Sequence, residues 1–204
     1  GGRFNIGNID ELKFPSFPAL YIAQDYETAY REKFQLLPKQ SIHGLSSSEL
    51  AMSNAVSTAD VLIKGEIQSI IDLTNINTLK VFFEIIDSIK LPKLLEKEAR
   101  QLNISVRYHV KTLKQLYNSL LDADWRQLPM LFDIPANPQI FGQIVHAAKI
   151  EAILYPSKTS SEKKCLGIFT NNFSNSPSVV AIQDDIPEYV QHSRLNQKNY
   201  IQLS

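Results

Sequence analysis

Cysteine is scarce in this chain and long apolar runs are absent. The first argues against a disulfide-stabilised protein and the second against a membrane-spanning one. Cys165 is the single cysteine among 204 residues, so no disulfide can form within the chain, and a reducing compartment fits best. No run of about 18 apolar residues is present, and no membrane span is expected. Residues 1–10 lack a basic start followed by an apolar stretch, so we expect no signal peptide. A cytoplasmic location is therefore expected, with secretion as an effector as the alternative.

An excess of charge of either sign is also missing. Lys and Arg number 21, and Asp and Glu number 21, so the bulk basic surface of a nucleic-acid scaffold is excluded and no nucleic-acid partner is expected. The 4 histidines show no H-x-x-x-H spacing and no C-x-x-C pair occurs, so no metal site is expected. The chain has no G-x-G-x-x-G, no Walker loop and no G-x-S-x-G elbow. A Rossmann-type nucleotide site and a serine-hydrolase site are therefore not expected.

The sequence patterns that are present predict an α+β protein. Short apolar stretches predict strands at 19–23, 61–74, 151–157, 165–172 and 178–185. Helices are predicted at 25–34, with Asp25 as N-cap, and at 77–90, 91–102, 111–124 and 137–150. Because strands and helices do not alternate regularly, we expect a mixed or mainly antiparallel central sheet with flanking helices. Residues 1–204 are expected to form one domain with a polar surface insertion at 35–60.

Three segments carry the pattern from which a function can be inferred. They are GGRFN at 1–5, LYIAQDYETAYREKF at 20–34 and QIFGQIVHAAKIEAILYPSKTSSEKKCLGIF at 139–169. In this order they resemble the motifs of the RES-domain family, which is named for an arginine, a glutamate and a serine. The resemblance involves residues 1–34 and 137–170, whereas residues 35–136 match loosely. The chain departs from the family pattern at Ala152, where the family has glycine.

The resemblance implies an enzyme that consumes NAD⁺ as its substrate, with a fold similar to that of the diphtheria-toxin-like ADP-ribosyltransferases. It assigns catalytic roles to Arg3, Glu32 and Ser157. It assigns NAD⁺ contacts to Arg3, Asn5, Tyr21 and Tyr155. Family members that are toxins of toxin–antitoxin pairs deplete cellular NAD⁺, and some use phosphate as the acceptor. A neutralising protein that blocks the cleft is therefore expected as a partner if this chain is such a toxin.

The residue types also suit cleavage of the nicotinamide–ribose bond on chemical grounds. This cleavage develops positive charge on the ribose carbon, which a carboxylate such as that of Glu32 would stabilise. The planar guanidinium of Arg3 can donate to pyrophosphate or ribose oxygens. The ring of Tyr21 offers a flat face for nicotinamide, and the Ser157 hydroxyl can orient the substrate or the carboxylate.

Each of these residues also has a purely structural interpretation. Arg3 would then be a surface residue of a frayed terminus, and Glu32 a solvated helix residue paired with a neighbouring cation. Tyr21 and Tyr155 would be core residues, and Ser157 would be a turn residue after a proline.

Two other functions also fit the sequence. The chain could transfer ADP-ribose to a macromolecular target, for which its insertions would supply recognition surface. It could also be an interaction module that keeps the fold without catalysis. Modification of a macromolecule by labelled NAD⁺ would indicate the first, and failure to bind NAD⁺ would indicate the second.

Overall fold

The structure is a computed structural model whose described residues form two compact units. The described residues are 2–7, 14–34, 61–88, 97, 101, 110–122, 124–159, 162–186, 188 and 190–203. The first unit comprises Gly1–Phe17 and Ile71–Ala148, and the second comprises Pro18–Ile70 and Lys149–Ser204. The single-domain organisation expected from the sequence stays a prediction.

The described elements are those of an α+β protein, as expected. The strands are β1 (Leu20–Ala23), β2 (Ile63–Glu66), β3 (Ile70–Asp72), β4 (Ala152–Pro156), β5 (Lys164–Ile168), β6 (Val179–Ile182) and β7 (Arg194–Leu195). The α-helices are α1 (Tyr26–Phe34), α2 (Lys80–Ser88), α3 (Leu113–Leu120), α4 (Gln127–Phe132) and α5 (Asn137–Ala147). Short 3₁₀ helices lie at Ile76–Leu79, Thr170–Asn175 and Tyr200–Leu203. None of the helices in the described part of the chain has the length and apolar character needed to cross a membrane.

The helix starts follow the capping signals of the sequence. Asp25 caps α1 as predicted, because its carboxylate accepts a 2.9 Å hydrogen bond from the Thr28 N–H. Thr112 caps α3 in the same way, and Pro138 lies in the first turn of α5. The sequence pattern does not predict α4, since Pro129 interrupts it and no side-chain cap precedes it.

Several predicted boundaries are wrong, and at two of them the kind of element also changes. The helix predicted at 77–90 begins as the 3₁₀ turn Ile76–Leu79 and becomes α-helical only at Lys80. The strand predicted at 165–172 ends at Ile168, because the chain then turns into a 3₁₀ helix. The insertion predicted at 35–60 lies outside the described residues. The helix predicted at 91–102 also lies outside them, except for residues 97 and 101.

Buried aromatic rings form the centre of the first unit. Phe4 and Phe141 are both fully buried, and their ring centroids lie 6.3 Å apart in an edge-to-face arrangement. Phe82 of α2 packs against Phe141 with a centroid separation of 5.0 Å. The segment around Phe4 is therefore part of the core of this unit rather than a loose terminus.

The second unit contains antiparallel strands around an apolar core. β5 lies between β1 and β4 and is antiparallel to both. The strand order of this sheet is β1-β5-β4-β3, and the boundary between the two units falls inside β3. A second sheet has the order β2-β6-β7. Ala152 and Ile168 of the first sheet share a buried cluster with Val180 and Leu195 of the second, so the two sheets of this unit bury one face of each against a common core.

Candidate functional site

Glu32 and Ser157 are in direct contact although they lie 125 positions apart in the sequence. The Ser157 hydroxyl donates a 2.7 Å hydrogen bond to Oε1 of Glu32, and the backbone N–H of Lys158 donates to the same oxygen at 2.9 Å. Ser157 is 3% exposed, and Glu32 is half-buried. A short O–H···O contact to a carboxylate is among the stronger hydrogen bonds in proteins. The structure thus brings together two of the three residues to which the resemblance assigns catalysis.

The start of α1 is fixed to β5 and the loop before it, and this fixes the direction in which the helix carries Glu32. The carboxylate of Asp25 forms a 3.1 Å ion pair with Lys163. The backbone N–H of Gln24 donates to the Lys164 carbonyl, and the Lys164 N–H donates back to the Gln24 side chain. The backbone N–H and then the hydroxyl of Thr28 lower the pKa of Asp25 below its ordinary value, with a further contribution from Lys163.

The loop between β4 and β5 holds Ser157 in a local turn. The Ser157 N–H donates to the Lys163 carbonyl at 2.8 Å, which continues the β4–β5 pairing by one residue. The backbone N–H of Thr159 donates to the Ser157 hydroxyl oxygen at 3.2 Å, and the two hydroxyl oxygens are 3.1 Å apart. The structural interpretation of Ser157 as a turn residue is therefore correct. The same hydroxyl also reaches the carboxylate of Glu32.

Arg31 and Lys33 flank Glu32 on α1 and differ in their surroundings. Arg31 forms an ion pair of 2.9 Å with Glu27, which lies one turn earlier on α1 and is largely exposed. This is the weak surface pair that the i, i+4 spacing predicts. Lys33 is exposed. The Glu32 carboxylate contacts the β4–β5 loop, where the Ser157 hydroxyl and the Lys158 N–H donate to it, and the residue stays partly exposed.

Tyr21 and Tyr155 lie on the same face of the first sheet. In the strand register Tyr21 is opposite Gly167, and Tyr155 is opposite Cys165, two residues away on β5. The face with the tyrosines is opposite the one that joins the apolar core. Tyr21 is half-buried and Tyr155 is 4% exposed. A contact of either ring with NAD⁺ stays a prediction. Cys165 is buried on the same face as the two rings.

Arg3 is buried in the first unit rather than frayed at the surface. Its exposure is 7%, and Nη1 donates to the carbonyl oxygens of Leu120 at 3.3 Å and Asp122 at 2.7 Å. The guanidinium carbon lies 5.9 Å from the ring centroid of Trp125. A cation at the carboxyl end of α3 is favourable because the last carbonyls of a helix carry partial negative charge. A role of Arg3 towards a pyrophosphate stays a prediction of the resemblance.

The turn that carries Arg3 is shaped by α5. The Asn5 side chain accepts from the Gly2 N–H at 2.7 Å and donates to the Phe17 carbonyl at 3.1 Å. The amide of Gln139 donates to the carbonyls of Gly2 and Asn5. A Cβ added at Gly142 would lie 1.8 Å from the carbonyl oxygen of Phe4. Only glycine at that position allows the turn to approach the helix so closely.

These contacts give Asn5 a structural role that the sequence did not reveal. The same is true of Gln139 and Gly142, which lie inside the quoted motif of residues 139–169 but were not singled out from the sequence. A signal for Gln139 was present, because its side chain accepts from the Ala136 N–H as a residue at the third helical position does. NAD⁺ contact by Asn5 stays a prediction.

A second carboxylate in the second unit escaped the sequence analysis altogether. Glu151 is 2% exposed, and its Oε2 accepts hydrogen bonds from the N–H groups of Gln68 and Ser69 and from the Ser178 hydroxyl, all within 3.0 Å. Burial raises the pKa of Glu151. The hydrogen bonds that its carboxylate accepts from Ser178 and from the backbone of Ser69 and Gln68, with the Ser176 hydroxyl donating in turn to Ser178, outweigh this cost, and the pKa lies below its ordinary value.

No group of three or more histidine, cysteine, aspartate or glutamate side chains suited to a metal ion occurs among the residues that the structure describes. Comparison of the chain with family models, curated proteins and solved structures found no match. The resemblance to the RES-domain family therefore depends on the quoted motifs. The candidate site is defined by the contact between Glu32 and Ser157.

Proposed function

We propose that the protein consumes NAD⁺ by cleaving the bond between nicotinamide and ribose. The observation that supports this proposal most is the hydrogen bond between Glu32 and Ser157. The family resemblance names both residues, and their contact joins two motifs that are distant in the sequence. A carboxylate held by a hydroxyl and a backbone N–H is ready to stabilise positive charge without reorganising during the reaction.

The reaction would proceed as follows. The bond between the ribose carbon and the pyridinium nitrogen breaks, and its electron pair leaves with nicotinamide, which becomes neutral. The positive charge that develops on the ribose is stabilised by the carboxylate of Glu32. An oxygen of water or phosphate then bonds to the same carbon, and the acceptor loses one proton. The products are nicotinamide and either ADP-ribose or its phosphorylated form.

The remaining roles follow from the resemblance. Arg3 and Asn5 would contact the dinucleotide, the ring of Tyr21 would lie against nicotinamide, and Tyr155 would be a further contact with NAD⁺. Loss of NAD⁺ would harm the cell that makes such an enzyme, so a neutralising protein that covers the site is part of the proposal.

The test is NAD⁺ turnover by the purified chain, with and without phosphate, and with the products identified by mass. We expect wild-type protein to release nicotinamide and a Glu32→Gln variant to be at least about a hundredfold slower. Glu27→Gln is the matched control, because Glu27 is a largely exposed glutamate of the same helix and pairs only at the surface with Arg31. It should behave as wild type.

Two outcomes would contradict the proposal. Equal loss of activity in both variants would remove the specific role of Glu32. Intact NAD⁺ in every reaction would overturn cleavage with water or phosphate as the acceptor. Labelled NAD⁺ added to a cell extract would then show whether ADP-ribose passes to a macromolecule instead.

A further inference from the structure

The hydroxyl of Thr159 lies within hydrogen-bond distance of the candidate site, although no motif in the sequence singled it out. Thr159 is 7% exposed, and its Oγ1 lies 3.1 Å from Oγ of Ser157. The distance alone does not say which hydroxyl donates. The other contacts of Ser157 decide the direction.

A serine hydroxyl has one hydrogen to donate and two lone pairs with which to accept. The hydrogen of Ser157 is directed at the carboxylate of Glu32, which can only accept when it is ionised. Thr159 must therefore be the donor in the contact between the two hydroxyls. The backbone N–H of Thr159 donates to the same serine oxygen at 3.2 Å.

The result is a chain of hydrogen bonds with one direction, from Thr159 through Ser157 to Glu32. Both donors of Thr159 occupy the lone-pair side of Ser157, so the serine hydrogen is held towards the carboxylate. The N–H of Lys158, which lies between the two, donates to the same Oε1 atom. Three consecutive residues of the loop thus act on one carboxylate oxygen. Ser157 and Lys158 donate to it directly, and Thr159 acts on it through Ser157.

We propose that Thr159 is a positioning residue that sets the Ser157 hydroxyl as a donor to Glu32 and so holds the carboxylate in place for catalysis. Its catalytic part rests on the proposed function, whereas the positioning itself can be tested without NAD⁺. The proposal assigns Ser157 the role of a hydrogen-bond donor to Glu32 and not of a nucleophile activated by it. It also predicts that the effect of Thr159 passes entirely through Ser157.

The first measurement needs no substrate. The chemical shift of the Lys158 amide proton reports its hydrogen bond to Glu32, and the chain of 23.1 kDa is accessible to isotope-labelled NMR. Thr159→Val keeps the shape and removes the hydroxyl, so the Lys158 amide should move in the same direction as in Ser157→Ala. Thr159→Ser keeps the hydroxyl and should leave this amide close to its wild-type position.

The second measurement is a double-mutant cycle on NAD⁺ cleavage. Thr159→Val should lower kcat about three- to tenfold with little change in KM, and Thr159→Ser should restore most of the loss. In a Ser157→Ala background Thr159→Val should have no further effect, because the residue through which it acts is gone. If the valine variant does not fold, Thr159→Ala removes the same hydroxyl with a smaller side chain. Its effect is measured by the chemical shift of the same Lys158 amide proton.

The outcomes separate the two proposals. A Lys158 amide that follows the hydroxyl of Thr159, without any NAD⁺ cleavage by wild type, supports the positioning and overturns the proposed function. An unchanged Lys158 amide in Thr159→Val, with NAD⁺ cleavage intact, overturns the positioning and leaves the proposed function standing. Additive losses in the double-mutant cycle would also overturn the positioning role.

Discussion

The two ends of β4 hold two glutamates in similar ways but with different consequences. Glu151 directly precedes the strand, and Ser157, the partner of Glu32, directly follows it. Each carboxylate accepts from a serine hydroxyl, and Glu151 also accepts from two backbone N–H groups and Glu32 from that of Lys158. Glu151 is 2% exposed, whereas Glu32 is only half-buried. The same kinds of donor can therefore hold a fully buried carboxylate or one that stays partly exposed.

Burial explains why the carboxylate of Glu151, which precedes β4, needs more hydrogen-bond donors than that of Glu32. An ionised carboxylate loses its hydration when it is buried, and only several hydrogen bonds can offset that cost. Glu151 has backbone donors from Gln68 and Ser69 as well as the Ser178 hydroxyl, and its pKa lies below its ordinary value. We infer that Glu151 fixes the segment before β3 to the start of β4, whereas the carboxylate of Glu32 stays partly exposed.

Removal of Glu151 should produce the largest effect on stability. In Glu151→Ala the N–H groups of Gln68 and Ser69 and the hydroxyl of Ser178 lose their shared acceptor. Because each buried unsatisfied donor costs about 1–3 kcal/mol, we expect the free energy of unfolding in urea to fall by roughly 3 kcal/mol. Glu27→Ala, at a largely exposed glutamate, is the control and should change it by less than about 0.5 kcal/mol. Equal effects of both variants would contradict the structural role of Glu151.

Replacement of Glu32 should affect activity rather than stability. Glu32→Gln keeps an oxygen that can accept from Ser157 and Lys158, so the midpoint of thermal unfolding should stay close to that of wild type. The rate of NAD⁺ cleavage should fall at least about a hundredfold, because the charge that stabilises the developing cation is gone. A large drop in the midpoint of thermal unfolding with an unchanged rate of NAD⁺ cleavage would mean that Glu32, like Glu151, stabilises the fold and does not act in catalysis.

The pH dependence of stability should come partly from Glu151. Its folded-state pKa lies below the ordinary value of 4.5, so the unfolded chain binds more protons in this range. The contribution is fully present above pH 4.5 and is lost as the pH falls through the lower folded-state pKa. We expect Glu151→Gln to flatten the loss of unfolding free energy on acidification, as measured by urea titrations at several pH values. An identical pH profile in the variant would show that Glu151 does not contribute.

Asp25 should give the smallest effect, and it tests how firmly α1 is fixed. Asp25→Ala removes the cap on the Thr28 N–H and the ion pair with Lys163, and should cost about 1 kcal/mol of unfolding free energy. Asp25→Asn keeps a capping oxygen and should cost only a few tenths of a kcal/mol. Equal losses for the asparagine and alanine variants would mean that the ion pair, not the cap, fixes the start of the helix.

The residues that the sequence could predict are those that act through local spacing. The cap at Asp25, the first-turn Pro138 and the surface pair of Glu27 with Arg31 all depend on neighbours within four positions. Glu32 and Ser157 were predicted by a different route, through motifs that resemble those of a family. Periodicity alone would have left Glu32 on a solvated helix face.

The residues that escaped prediction act over long distances in the chain. Nothing near Glu151 in the sequence indicates that Gln68, Ser69 and Ser178 will surround it. Nothing in the sequence distinguishes Gly142 from other helix glycines, and only the fold places the carbonyl of Phe4 against it. Such contacts depend on which segments the tertiary fold packs together, and short-range patterns carry no information about that.

The sequence by itself determined the α+β class, most of the strands and helices and the local caps, because each depends on the spacing of a few adjacent residues. Only the tertiary structure decided which carboxylate is buried and which stays partly exposed to solvent. It placed Glu151 inside a shell of donors and placed Glu32 against Ser157 at the other end of the same strand. The physical reason is that burial and hydrogen-bond partners, which set the behaviour of a carboxylate, are properties of the packed chain.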